Sequence, residues 1–313
     1  MKTEISVIIC THNPRKNYLE RVVEALQSQT LATDLWELIL IDNSSDEPLA
    51  TKWDLSWHAN ARCMREEDLG LTAARLRGIE ESTGDLLIFV DDDNILADDY
   101  LSAAVEISTD HCYIGAFGGS LEGEFEVAPP ERLLPYIGWV VGSEIDRDYW
   151  SNTAVWSYAV PVGAGMCVRR IVALDYLRKL HVNPKRKILD RCGSTLASWG
   201  DTDMAFCAVD LGMGTGRFAR LRLTHLIPKE RLTLEYVTRL RAETVASWML
   251  LNWFRGTPGL RPRPFWKEAP GLIWFLLRAS AVDRSVRLAT RKAQKEARLL
   301  LETWIRSERG GAE

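Results

Sequence analysis

This chain has no long apolar run. Its most apolar stretches, Ala246–Phe254 and Gly271–Leu277, are too short to cross a bilayer, which takes about 20 residues as a helix. Met1 leads directly into a β-branched run rather than an apolar leader, so no secretory signal is expected. Excess positive charge is missing too: 39 Lys and Arg against 43 Asp and Glu give a net charge of −4, no basis for nucleic-acid binding. The six cysteines include no C-x-x-C pair. That argues against a disulfide frame or a zinc site and for a reduced, cytoplasmic setting. There is no internal repeat and no low-complexity tract. The turn after the first apolar run, Thr11-His12-Asn13-Pro14, also lacks the glycines of a phosphate-binding loop.

At 46% apolar and 26% charged over 313 residues, the chain can build a large core. Ile5 to Cys10 reads as a strand, and Asn17 to Gln29 has the apolar period of a helix. A second strand, Trp36 to Ile41, closes on the acidic turn Asp42-Asn43-Ser44-Ser45-Asp46, and Thr72 to Ser82 is predicted helical, with Gly84 as its stop. Leu86 to Val90 is apolar at every position, as in a strand buried on both faces, and runs into Asp91-Asp92-Asp93. A helix is expected from about Asp98 to Ser108. Alternating strands and helices predict an α/β fold with a parallel sheet, whose ligands bind at the carboxyl ends of the strands. Three aspartates at such an end suit a hard divalent cation and the phosphates it carries.

Beyond residue 111 the pattern changes. Cys112 to Phe125 is glycine-rich and strand-like, Val162 to Val168 is a glycine-entered strand running into Arg169-Arg170, and Ser198 to Asp203 leads into an apolar helix. Gly216 to Leu223 alternates as a strand does and ends at Thr224-His225. From Leu232 the chain reads as helical, broken at Gly256–Pro264 and near Pro270. Between Arg255 and Arg309 stand 13 Lys/Arg against 5 Asp/Glu.

Five segments, in order, resemble the family 2 inverting glycosyltransferases of GT-A fold: residues 6–13, 41–46, 70–78, 89–94 and 199–203. The resemblance covers residues 4 to 240, and later segments look like a bacterial subgroup that makes surface polysaccharide. It implies a mixed sheet flanked by helices, with a catalytic domain over 1–231 (a nucleotide-binding half to about 110, an acceptor half from 111) and a helical extension over 232–313. It implies a nucleotide-sugar donor, commonly UDP-linked, and a saccharide or lipid-linked saccharide acceptor. Thr11, His12, Asn13 and Asp42 would hold the base and ribose, and Arg75 would lie near the phosphates. Asp91 would support the triplet, Asp92 would face the ribose, and Asp93 would bind Mn²⁺ or Mg²⁺. Asp201 would be the catalytic base. Asp203 and Gly165 are expected toward the acceptor. Two departures stand out: Leu76 and Gly200, where the family often has Asn and Glu.

These residue types also make chemical sense by themselves. Carboxylates holding a divalent cation neutralise charge on a diphosphate leaving group. A carboxylate can take the proton of an attacking hydroxyl, and one base without a second nucleophilic carboxylate implies inversion. The alternatives are a nucleotidyltransferase, which should carry a glycine-rich phosphate loop, or a non-catalytic sugar-binding protein, which needs no base. His225 stands open between a third metal ligand and a structural histidine. Of Trp139, Trp150, Trp156 and Trp199, at least two are expected in the core, and Trp199 is the candidate for stacking on sugar. Arg169 and Arg170 are expected at a solvated helix start rather than on a diphosphate. The basic tail, with Trp248, Trp253, Trp266, Trp274 and Trp304, either docks on the inner face of a membrane or packs on the catalytic domain or a second subunit.

Overall fold

A computed structural model describes residues 4–257, 271, 274, 275 and 277–310. Ile5–Thr11 (β1) is buried at every position, because helices cover both sides of its sheet. Trp36–Asn43 (β2) and Leu86–Asp91 (β4) flank it in parallel, and Ala61–Glu66 (β3) pairs with β2. Ile5, Val7 and Ile9 point to one face, where they pack with Leu19, Val22 and Leu26 of Lys16–Gln27 (α1) and with Tyr100 and Leu101 of Tyr100–Asp110 (α3). Ile8 and Cys10 point to the other, against Leu71–Glu81 (α2), Arg170–Val182 (α5) and Gly200–Asp210 (α6). The register sets Thr11 opposite Asp42 and Cys10 opposite Asp91, so the polar strand ends share one edge.

Past β4 the sheet becomes mixed. Met166–Arg169 (β8) is antiparallel to β4 and to Ile114–Phe125 (β6), and Gly214–Ile227 (β9) runs parallel to β6. Asn94–Leu96 (β5) and Tyr149–Ser151 (β7) each pair with β9, giving the order β3-β2-β1-β4-β8-β6-β9-β5. The β6–β9 register shifts between Gly118 and Ser120, and at Gly119 a Cβ would stand 1.8 Å from the Leu221 carbonyl oxygen. Only glycine fits that approach. A short helix, Ile137–Val141 (α4), follows β6.

The GT-A arrangement expected from the resemblance is present, with local corrections. Gly84 does not cap α2, which ends at Glu81 with Ser82 as its C-cap; it is there because a Cβ would lie 2.6 Å from the backbone of Ile5 and Ser6. Arg169 and Arg170 stand at the start of α5 as expected, but half-buried rather than free in solvent. Their guanidinium groups donate to the carbonyls of Ile114 and Gly84, each at 2.7 Å. All six cysteines are free, with Cys10, Cys167 and Cys207 buried as small hydrophobes.

Two helices of the tail, Leu234–Phe254 (α7) and Ala281–Gly310 (α8), pack on the body. Val237 and Leu240 meet Leu133 and Ile227, while Leu250 and Leu251 meet Leu189 and Phe206. Trp248 lies 4.5 Å from Trp199, and Trp253 lies 5.3 Å from Trp304, so these tryptophans serve packing. Gly256, at φ +66°, follows the end of α7 where a break was expected. Trp266 and the rest of that break, 258–264, with Pro270, lie outside the described residues. Among the described residues, no helix is long and apolar enough to cross a membrane.

Candidate functional site

A cleft of about 400 Å³ opens at the carboxyl ends of β1 and β4, and its lining includes Thr11, His12, Arg75, Asp91, Asp92, Asp93, Asp201 and His225. Eight predicted site residues spread over two hundred residues of sequence therefore meet there, together with a flanking set that sequence reasoning left unassigned: Asn43, Gly163, Asp190, Arg191 and Arg231.

The triplet is divided by its surroundings. Thr11 Oγ1 donates to Asp92 Oδ2. Burial, and then the charge of Asp93, push the Asp92 carboxyl up to about 7. Asp91 is raised for the same two reasons. At Asp93 burial is more than offset by His225 and by the Arg231 guanidinium, which hold it well below the usual carboxylate range. Arg231 Nη2 is 2.9 Å and His225 Nε2 is 3.4 Å from Asp93 Oδ2. This meeting follows from the antiparallel β5–β9 pair, which sets Asn94 opposite His225, with Leu226 N–H donating to the Asp93 carbonyl at 2.8 Å.

His225 is oriented as a ligand would be. Its Nδ1–H donates to the Val141 carbonyl at 3.0 Å, leaving the Nε2 lone pair toward Asp93 and an N–H of Arg231, 3.1 Å away. A backbone acceptor on the far nitrogen is the usual support for a metal-binding imidazole. Two ligands sharing a cation at about 2.1 Å stand roughly 3 Å apart, so this pair fits Mg²⁺ or Mn²⁺ once Arg231 yields. Among the described residues a second group, Asp175, Cys207 and Asp210, also gathers ligand atoms. Lys179 Nζ already fills it, 2.6 Å from Asp175 and 2.5 Å from Asp210.

At the other side of the cleft Arg75 is buried and paired with Asp190 at 3.0 Å, and Thr72 Oγ1 donates to the same Asp190 oxygen at 3.0 Å. Burial disfavours the Arg75 charge, but Asp190, Asp91 and Asp201 together raise its pKa. Among the described residues, Asp201 keeps no cation of its own. Its oxygens accept from Gly163 N–H at 2.7 Å and Thr202 N–H at 2.6 Å. Burial dominates and lifts the carboxyl to about 6, with Arg75 opposing and Asp190 adding to the rise. A carboxylate near 6 is well matched to proton abstraction close to neutrality.

Other expected residues do different work. Asp42 is buried and accepts from Ser45 N–H, Leu49 N–H and Arg65, bracing its own turn. Asn13, at φ +48°, ties that turn to the first, accepting from Asp46 N–H at 2.9 Å. Neither lines the cleft. Trp199 turns away from it, donating to the Thr244 carbonyl at 2.6 Å and packing on Trp248. Asp203 is clamped by Arg186 Nη1 at 2.6 and 2.7 Å. Gly165 is needed for packing: a Cβ there would sit 2.5 Å from the Tyr100 hydroxyl. The tryptophan at the cleft is Trp139, stacked under Arg241 at 4.1 Å. Trp139, Trp150 and Trp156 are 44%, 60% and 55% exposed and only Trp199 packs, so the core placement expected for at least two of the four fails.

Comparison with known proteins agrees with this geometry. The sequence profile described as glycosyl transferase family 2 matches residues 6–159. The chain is 24% identical over 149 residues to a Haloferax volcanii protein named glucosyl-dolichyl phosphate glucuronosyltransferase, covering 45% of each. It thus spans less than half of that curated relative. Crystal structures of similar fold include S. aureus TarS 1-349 in complex with UDP-GlcNAc, at TM-score 0.55 and 13% identity, covering 94% of this chain and 80% of that one. Another is GalNAc-T7 with UDP, GalNAc and Mn²⁺, at TM-score 0.52 and 18% identity, covering 82% and 52%. Residues 6–159, just under half of the chain, thus match glycosyltransferase family 2, and the fold is of the GT-A kind.

Proposed function

We propose that this protein is a metal-dependent, inverting glycosyltransferase that moves a sugar from a UDP-linked donor to a hydroxyl of a saccharide or lipid-linked saccharide, in glycan or polysaccharide synthesis. The observation that carries this is Asp201, a carboxylate at the cleft lifted to about 6 and engaged only by two backbone N–H groups among the described contacts. The neighbouring carboxylate, Asp190, is committed to Arg75 and Thr72, so it is not free to act as a nucleophile. One available base favours direct displacement and inversion. Asp93 and His225 would hold Mn²⁺ or Mg²⁺, which supplies positive charge against the diphosphate as it leaves. Arg231, released from Asp93, would face the same phosphates. The structures of similar fold with UDP-GlcNAc and with UDP and Mn²⁺ support the donor and the metal, and the relative's name supports a lipid-linked acceptor.

The test is a thermal-shift panel of nucleotide-sugars with and without Mn²⁺, followed by NMR of the product's anomeric proton. Ligand-linked stabilisation by a UDP-sugar only with metal, then inversion, is the expected result; retention at the anomeric carbon would remove the single-base mechanism. Peripheral membrane contact belongs to the same proposal. Arg287, Lys292 and Lys295 are exposed on α8 beside Leu288 and Leu299. Salt-sensitive co-sedimentation with anionic vesicles, lost in Lys292→Glu/Lys295→Glu, checks it.

A further inference from the structure

The loop from β7 back to the cleft presents aromatic rings to solvent rather than to the core. Trp156 is 55% exposed, Tyr158 62% and Trp150 60%. The Tyr158 ring stacks on Tyr149 at 5.7 Å with planes 30° apart, and Trp156 lies 6.5 Å from Tyr158. Tyr113 supports Trp150 edge-on at 5.6 Å. Hydrophobic surface gathered this way marks a binding surface more often than chance exposure does.

Three features identify the occupant. First, the surface lies a few residues of chain from the cleft. Val162 lines the cleft, four residues after Tyr158, so their Cα atoms are at most roughly 14 Å apart. Gly163, the next residue, donates its N–H to Asp201 at 2.7 Å. Second, the rings are paired side by side and carry polar tips, a form that takes the apolar C–H faces of pyranoses while bonding to their hydroxyls. Third, the nearby charge is acidic: Glu144, Asp146 and Asp148 are exposed, against Arg147 alone between residues 142 and 158. A membrane-docking aromatic surface would carry the opposite charge.

We infer that Trp156, Tyr158 and Tyr149 form an extended acceptor subsite that stacks on sugar units of an oligosaccharide whose reacting end lies at Asp201. This rests on the proposed transferase activity and narrows it: the acceptor is a chain of several sugars, not a free monosaccharide. Tyr149 supports the other two rings from β7, while Trp156 and Tyr158 make the exposed contact.

The test compares wild type with Trp156→Ala/Tyr158→Ala on an array of microbial oligosaccharides, with intrinsic fluorescence titration of each positive glycan and its monosaccharide. Both side chains are exposed, so an unchanged melting temperature is expected and serves as the folding control. The expected result is wild-type binding to a glycan of several sugars, about tenfold weaker in the variant, with metal-dependent hydrolysis of the UDP-sugar donor unchanged. No glycan bound by wild type, or binding equal in the variant, overturns the subsite. So does a loss in the variant of vesicle binding or of self-association in place of glycan binding. Absence of donor binding and hydrolysis in wild type would instead sink the transferase assignment, since glycan binding is read without donor.

Discussion

The two sides of the cleft handle buried carboxylates in opposite ways. On the Asp93 side the charge is met by the Arg231 guanidinium at 2.9 Å, with the His225 ring at 3.4 Å, and the carboxyl is held well below its ordinary range. On the Asp201 side the nearest cation, Arg75, is spent on Asp190, and the carboxyl rises to about 6. A group that stays ionised can hold a cation or a phosphate partner at any physiological pH. A group near 6 can accept a proton and give it up again. The same residue type is thus suited to the proposed holder or the proposed base according to which cation its neighbours leave free.

Crossing the two sides should separate binding from chemistry. Asp201→Asn is expected to cut transfer by ~10²–10⁴ while donor affinity stays within about twofold of wild type. Asp93→Ala should abolish the metal-dependent part of donor binding, seen as loss of the Mn²⁺-linked thermal shift. If Asp201→Asn transferred sugar at the wild-type rate, the base would lie elsewhere. A smaller effect is expected at Gly163, which touches only the Asp201 side. A Cβ there would lie 2.7 Å from Arg75 Nη2 and 3.1 Å from Asp201 Oδ2. The Arg75 guanidinium cannot retreat, because Asp190 clamps it in a buried site. Gly163→Ala should therefore displace the base and lower transfer about a hundredfold, with the Mn²⁺-linked shift retained.

The Asp93 side was far more legible in the sequence than the Asp201 side. β1, β2 and β4 are apolar runs that end in polar residues, so period and strand order alone bring Thr11 and the aspartate triplet together. β3 escaped notice because Arg62 and Arg65 interrupt it at the sheet edge, and β5 and β7 because three residues carry no period. Asp190 and Arg231 carried no local signal. Asp190 follows a short 3₁₀ turn, and its importance lies wholly in meeting Arg75 across 115 residues of sequence. Arg231 reaches Asp93 only because β9 runs back along β5. Trp199 misled for the opposite reason: adjacency to Asp201 in sequence suggested the cleft, but successive positions of a helix start point different ways, and its ring turns to α7.

The mildest way to probe the contrast is pH. As the proposed base, Asp201 must be ionised to take the hydroxyl proton. Its pKa is raised from 3.8 to about 6, so the active, deprotonated fraction grows as pH rises through that value. Between pH 5 and pH 7 the fraction changes by about tenfold, and kcat/KM for the acceptor should climb by that factor before levelling. Asp93, held low, stays ionised across this window, while Asp92, pushed up to about 7, places any rise in donor binding with Mn²⁺ later than the transfer limb. The limb belongs to Asp201 only if it disappears in the residual activity of Asp201→Asn while the donor-binding profile keeps its wild-type shape. A limb that survives the substitution would assign the titration to another group at the cleft. Parallel limbs in transfer and donor binding would mean that the two sides titrate together, and the division of labour between them would fail.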